Sequence, residues 1–216
     1  MPQNVFVSWS GGKDCYLALQ KAVEQELTVT ALTTFVNREG HNTAHGVDTA
    51  VLRRQASALG LPLEIEPVTW EEYEKGFLNV VARLKKEGVT GGVFGDINLQ
   101  EHRQWIETRC HRQSITPFFP LWGMEETDVV RELLRRKARL LIVALRGDLL
   151  DEEWIGRELD EQFLQLCLER GLSPCGENGE YHTLAIGGPL FKENFKFKKG
   201  EILKQDHLLF QEINAG

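Results

Sequence analysis

The 216-residue chain is 42% hydrophobic and 26% charged, which is ordinary globular composition and excludes disordered, collagen-like, coiled-coil and disulfide-scaffold classes. Its 25 Lys and Arg against 32 Asp and Glu give a net charge of -7, so the surface as a whole repels phosphate backbones and a nucleic-acid coat protein is excluded. At roughly 150 residues per domain, the length allows one large α/β unit or a core domain with a smaller appendage. No apolar run approaches the ~20 residues of a bilayer span, and the opening MPQNVFVSW lacks a basic region ahead of a long apolar stretch. A soluble, cytoplasmic protein without membrane contact is expected. Cys15, Cys110, Cys167 and Cys175 form no CxxC pair and no zinc-type spacing, which speaks against disulfides and a structural metal.

Asn4 to Ser8 is a continuous apolar run that reads as a buried strand and stops at Ser10-Gly11-Gly12-Lys13-Asp14. A helix is expected from about Asp14 to Glu26, with Leu19, Ala22 and Val23 on its buried stripe. Leu27 to Val36 is β-branched and reads as a second strand, followed by a loop from Asn37 to His45 and a helix from Thr49 to Leu59. Leu63 to Pro67 reads as a third strand. Tyr73, Phe77, Val80, Val81 and Leu84 mark an amphipathic helix within Trp70 to Glu87. A fourth strand is expected at Val93 to Asp96 and a helix from Leu99 to Gln113. Glu101, His102 and Arg103 then fall on a solvated helix face, while His41, His111 and His207 carry no usable context.

This alternation is that of parallel βαβ units in a doubly wound sheet, where ligands bind beyond the carboxyl ends of the strands. Those ends are Ser8 to Gly12, Phe35 to Asn37 and Gly95-Asp96. After Pro117-Phe118-Phe119-Pro120-Leu121-Trp122 the pattern changes to a helix from Met124 to Arg136, a strand from Leu140 to Leu145 and a helix from Glu161 to Arg170. Short β-like segments follow at Tyr181 to Ile186 and Phe195 to Lys199. A boundary near 118 to 124 gives domains of 1–120 and 121–216. Trp122 is expected in core or interface packing.

Ser10 to Asp14 lies between a strand and a helix, where two glycines let the backbone approach an anion and Lys13 adds a full positive charge. The loop is neither a Walker A motif nor GxGxxG. It resembles the PP-loop of the ATP pyrophosphatases, SGGxD followed by Ser or Thr. Cys15 departs from that pattern and reads either as a weak phosphate contact or as a small buried helix residue.

Glu177 and Glu180 are three apart in a glycine-flanked loop, a spacing that suits two carboxylates in one cleft, holding Mg2+ or orienting an amine. His182 is suited to donate to an oxyanion or α-phosphate. Asp96, at a strand's carboxyl end, reads as a metal or substrate ligand or as a helix N-cap.

Ala44-His45-Gly46-Val47, Phe94-Gly95-Asp96-Ile97, Pro120-Leu121-Trp122, Cys175 to Thr183 and Gly188-Pro189-Leu190-Phe191 occur in the order found in the diphthine–ammonia ligase family, which the chain resembles from end to end. The resemblance implies a HUP-type doubly wound parallel sheet carrying the PP-loop, plus a smaller C-terminal α+β substrate domain. It implies ATP bound by Ser8, Ser10, Gly11, Gly12, Lys13, Asp14, Phe35, His45 and Gly95. Lys13, Glu177, Glu180 and His182 are expected in catalysis, and Asp96 and Glu180 on Mg2+. The implied reaction is amidation of a carboxylate through an acyl-adenylate, with AMP and pyrophosphate released and free ammonium as the nitrogen donor. In the family the carboxylate is that of diphthine, a modified histidine on elongation factor 2; a bacterial source requires another carboxylate. Such chemistry rests on positioning and charge stabilisation and needs no nucleophilic side chain. The rival readings are a PP-loop RNA-modifying enzyme of thiolase or lysidine type and a non-catalytic nucleotide sensor. The former needs a basic RNA-binding surface or a cysteine pair, and the chain shows neither. Homo-oligomerisation is left open.

Overall fold

A computed structural model describes residues 3–37, 40, 47–193 and 195–215. Five parallel strands, β1 (Asn4–Ser8), β2 (Thr28–Val36), β3 (Leu63–Pro67), β4 (Gly91–Val93) and β5 (Thr116–Phe118), form a sheet of order β3-β2-β1-β4-β5. The helices between them are α1 (Lys13–Glu24), α2 (Thr49–Leu59), α3 (Tyr73–Lys86) and α4 (Gln100–Arg112). Strand order reverses between β1 and β4, so the loop after β1 opens at the switch point.

Alternation along β1 divides the core. Val5 and Val7 join a cluster with Leu17, Leu19, Val51 and Leu52 from α1 and α2. Phe6 joins the opposite cluster with Phe77 and Val80 of α3 and Ile106 of α4.

The chain continues through α5 (Glu126–Arg135), β6 (Arg139–Arg146), a 3-10 turn (Glu152–Trp154), α6 (Glu161–Glu169), β7 (Tyr181–Gly187), β8 (Phe197–Gln205) and β9 (Leu208–Ala215). The last four strands make an antiparallel sheet of order β7-β6-β9-β8. Leu140, Ile142, Leu184 and Ala185 of this sheet lie in the same apolar cluster as Val5 and Val7. The two sheets therefore share one continuous core. Among the described residues no helix is long and apolar enough to cross a membrane.

Four local expectations are corrected. The fourth strand spans Gly91–Val93 rather than 93–96, which leaves Gly95 and Asp96 in a loop. β5 was not expected, because Pro117 removes a ladder donor; the strand survives at the sheet edge, where proline is tolerated. The C-terminal β segments extend into the β8–β9 hairpin, which is largely exposed and so lacks the apolar run that marks a buried strand. Val23 is 44% exposed rather than buried.

Candidate active site

The loop between β1 and α1 is tied down by residues far away in the chain. Gly11 adopts φ +85°, and a Cβ there would sit 2.7 Å from Leu52 Cδ2, so only glycine fits. Its carbonyl accepts from Ala185 N–H of β7 at 2.8 Å and from Gln55 Nε2 of α2 at 2.9 Å. Gln55 is fully buried; Nε2 also donates to Ala185 O at 2.6 Å, and Oε1 accepts from the Trp9 indole at 2.8 Å. Lys13 N–H donates to Thr183 Oγ1 at 3.1 Å. With the loop's inner face occupied, the start of α1 is left to the cleft, where first-turn amides have no helical acceptors.

Lys13 is buried; its Nζ pairs with Asp14 Oδ2 at 2.8 Å and lies 5.4 Å from the centre of the Tyr181 ring. Burial works against the ammonium, but Asp14, with Tyr181 and Cys175, outweighs it and holds the pKa above the usual lysine value. Asp14 Oδ1 is buried with no partner among the described residues, the mark of a site awaiting a donor or cation.

Two cavities meet here. One, of about 190 Å³, is lined by Lys13, Asp14, Cys175, Gly176, Glu177, His182 and Thr183. The other, of about 220 Å³, is lined by Ser8, Ser10, Asp14, Cys15, Gly95, Asp96, Ile97, Leu99, His102 and Glu177. Asp14 and Glu177 border both, so the cavities are compartments of one cleft.

Glu177 and Glu180 do not share that cleft as their spacing suggested. Tight turns closed by Gly176 N–H to Ser173 O at 3.0 Å and Gly179 N–H to Gly176 O at 2.9 Å reverse the chain around them. Glu180 turns inward and accepts from Ser173 N–H at 3.1 Å, Asn178 N–H at 3.0 Å and Asn178 Nδ2 at 3.1 Å. Burial opposes its charge, but these hydrogen bonds outweigh burial and keep the pKa below the usual carboxylate value. It lines neither cavity, and three of its acceptor positions are used within the loop, so the structure places it apart from Glu177.

Glu177 stands at the cleft rim. Partial desolvation, then Asp14, Glu126 and Asp96, push its pKa up to about 7 against the opposing pull of Lys13. For His182, burial and then Lys13 lower the pKa to about 4, so its imidazole is neutral at neutral pH.

The remaining expected residues divide. Ser8, Ser10 and Gly95 line the cleft. Asp96 does too, bonded through Oδ1 to His102 Nδ1, which raises the His102 pKa against the effect of burial. The helix N-cap reading of Asp96 is corrected, because α4 is capped by Leu99. Phe35 packs against Tyr73 at 4.8 Å and Phe77 at 6.2 Å between ring centres and lines neither cavity. The Cys15 thiol is buried, donates to Gly12 O at 3.1 Å and has its pKa pushed by burial to about 11. His45 lies outside the described residues.

Four participants were missed from sequence: Gln55, Thr183, His102 and Glu126. Glu126 accepts from Ser173 Oγ, and from Cys175 N–H at 3.2 Å, anchoring the loop that carries Glu177. Gln55 had a signal, being a polar residue on the apolar stripe of its helix with Val51, Leu52 and Leu59.

A parallel sheet whose first strand enters a glycine loop at the point of order reversal, with Lys and Asp opening the next helix, defines the PP-loop class of α/β proteins. Within that class the chain belongs to the diphthamide synthase family: the Diphthamide synthase N-terminal domain matches residues 3–117 and the Diphthamide synthase C-terminal domain matches residues 125–215. The Homo sapiens protein named diphthine–ammonia ligase is 27% identical over 220 residues, covering 90% of this chain and 82% of that relative. The Mus musculus protein of the same name is 24% identical over 218 residues, covering 89% and 82%. A Schizosaccharomyces pombe protein, also so named, is 24% identical over 218 residues, covering 90% of this chain and 36% of its own.

Proposed function

We propose that this protein is an ATP-dependent carboxylate–ammonia ligase acting on diphthine, a modified histidine carried by elongation factor 2. The observation that supports it most is the attachment of β7 to the glycine loop, through Ala185 to Gly11 and Thr183 to Lys13, which brings Glu177 and His182 to the cleft at the start of α1. Residues 1–120 are assigned the nucleotide and residues 121–216 the protein substrate. In this reading the α1 amides and Lys13 hold the β,γ-phosphates. A carboxylate oxygen attacks the α-phosphorus, pyrophosphate leaves, ammonia attacks the acyl carbon, and AMP leaves with the amide formed. Neutral His182 is placed to donate to the α-phosphate, and Glu177 to orient the ammonium and take its proton.

Among the described residues no group of three or more His, Cys, Asp or Glu is arranged to hold a metal ion by itself. Mg2+ nevertheless fits a site of this chemistry, since it is usually held by one or two carboxylates plus substrate phosphates. Asp14, with its unpartnered Oδ1, and Asp96 are the residues that would hold it. When bound it supplies charge neutralisation of the phosphates.

The test is incubation with ATP, ammonium, magnesium and diphthine-bearing elongation factor 2. AMP, pyrophosphate and an amidated factor by mass spectrometry are expected. ADP with phosphate as main products, or nucleotide binding without turnover, would refute the reading.

A further inference from the structure

The residues lining the two cavities supply three carboxylates, Asp14, Asp96 and Glu177, and three groups able to carry positive charge, Lys13, His102 and His182. Lys13 is already paired with Asp14 and His102 with Asp96, while burial and Lys13 keep His182 neutral at neutral pH. Among the described residues, the lining therefore offers an anionic substrate no uncommitted cation, and like charges repel it.

Arg103, next to His102 on α4, is placed differently. Its guanidinium carbon lies 4.6 Å from the centre of the Trp122 ring and 5.0 Å from that of Phe119. Nε donates to Glu107 Oε1 at 2.7 Å. The aromatic shelf and this brace fix the plane of the guanidinium. Nη1 and Nη2 have no partner among the described residues, and the side chain is 29% exposed. The shelf adjoins the cleft, because Gly123 N–H donates to Ile97 O at 2.9 Å and Arg103 N–H to Leu99 O at 3.1 Å, and both acceptor residues line the second cavity.

We propose that Arg103, laid on the Phe119–Trp122 shelf with both amino groups free, receives the substrate's carboxylate at the cleft mouth. With Nε committed to Glu107, the contact is end-on through Nη1 and Nη2, a fork that matches a carboxylate and that lysine cannot reproduce. The assignment rests on the ligase reading, which supplies the carboxylate.

The test uses the full chain in two measurements. In the first, malonate is titrated into the protein while the Trp122 indole resonance, assigned with Trp122→Phe, is followed by NMR. The resonance is expected to move in the wild type and to stay in Arg103→Met. A resonance that stays in the wild type, or moves equally in both, overturns the proposal, and this readout does not depend on turnover. In the second, with diphthine-bearing elongation factor 2, Arg103→Met is expected to raise the KM for the protein about tenfold or more and to leave the ATP Kd within about twofold. Arg103→Lys is expected to recover little of that loss. An unchanged KM overturns the proposal, and so does a parallel loss of ATP affinity, which assigns the guanidinium to nucleotide phosphate. A wild type that answers malonate but shows no ligase turnover separates failure of the ligase reading from failure of the Arg103 assignment.

Discussion

The side-chain oxygen of Thr183 accepts the backbone N–H of Lys13 at 3.1 Å, so a strand of the second sheet completes the first turn of the helix that follows the glycine loop. Thr183→Val keeps the shape and leaves that N–H unpaired in a buried setting, at a cost of about 1–3 kcal/mol. Urea denaturation is expected to show this loss together with weaker ATP binding. Thr183→Ser, which keeps the acceptor, is expected to recover most of both.

Gln55 serves three partners at once. Gln55→Leu leaves Gly11 O, Ala185 O and the Trp9 indole without it, and is expected to cost at least about 2 kcal/mol. Gln55→Glu is expected to be worse, because a carboxylate would face two carbonyl oxygens in a buried site. Denaturation midpoints rank the two variants; equal damage from both would count against a donor role for Nε2.

Glu177 and Glu180 are expected to separate into function and scaffold. Glu177→Gln should fold normally and lose roughly 10² in kcat/KM, the scale of a positioned acid-base group. Glu180→Gln should lower the melting temperature, because three donors lose a charged acceptor. Calorimetric unfolding beside single-turnover kinetics checks both, and a Glu180→Gln protein of full stability would contradict the account.

The glycine loop was legible because its chemistry is local: a buried strand, two glycines and Lys-Asp lie in one unbroken run from Asn4 to Asp14. The βαβ alternation was legible because parallel strands covered on both faces read as apolar runs. The separation of Glu177 from Glu180 was not legible because spacing within a loop does not fix direction: the Gly176–Gly179 turn reverses the chain between them and sends Glu180 inward. The packing of Phe35 among Tyr73 and Phe77 was not legible, because the end of a strand fixes where the backbone goes and leaves open which face the ring takes. Thr183 carried no local signal, since its partner Lys13 lies in another sheet's loop.

His182 and Glu177 give opposite pH slopes. The folded-state pKa of His182 is about 4 against an ordinary 6.5, so the native state binds fewer protons than the unfolded chain between those values. Its contribution to stability is kept above pH 6.5 and lost as pH falls toward 4. The pKa of Glu177 is about 7 against 4.5, so the native state binds more protons, and stability is lost as pH rises from 4.5 through 7. Urea denaturation across pH 4 to 8 is expected to lose the first slope in His182→Gln and the second in Glu177→Gln.

Gly188 adopts φ +140°, and a Cβ there would lie 2.3 Å from the Tyr16 hydroxyl. Gly188→Ala is therefore expected to cost about 1–3 kcal/mol through strain and crowding. Adding Tyr16→Phe removes the clashing oxygen and should return part of the loss, so a double-mutant cycle with a nonzero coupling term is the expected result. Strict additivity would place the cost in the backbone alone.

The seam at the glycine loop also bears on the order in which the protein is made. The hydrogen bonds that tie β7 to the first half of the chain, Lys13 N–H to Thr183 Oγ1 and Gln55 Nε2 to Ala185 O, span 170 and 130 positions. Chain segments emerge from the ribosome amino end first, and distant closures form after local ones. A nascent chain ending near residue 120 holds every strand of the parallel sheet yet lacks the acceptor for Lys13 and the strand that fixes Gly11. On the ligase reading, tight nucleotide binding is therefore expected only once β7 has been made, and a product truncated before Tyr181 is expected to present the loop without a competent grip on ATP.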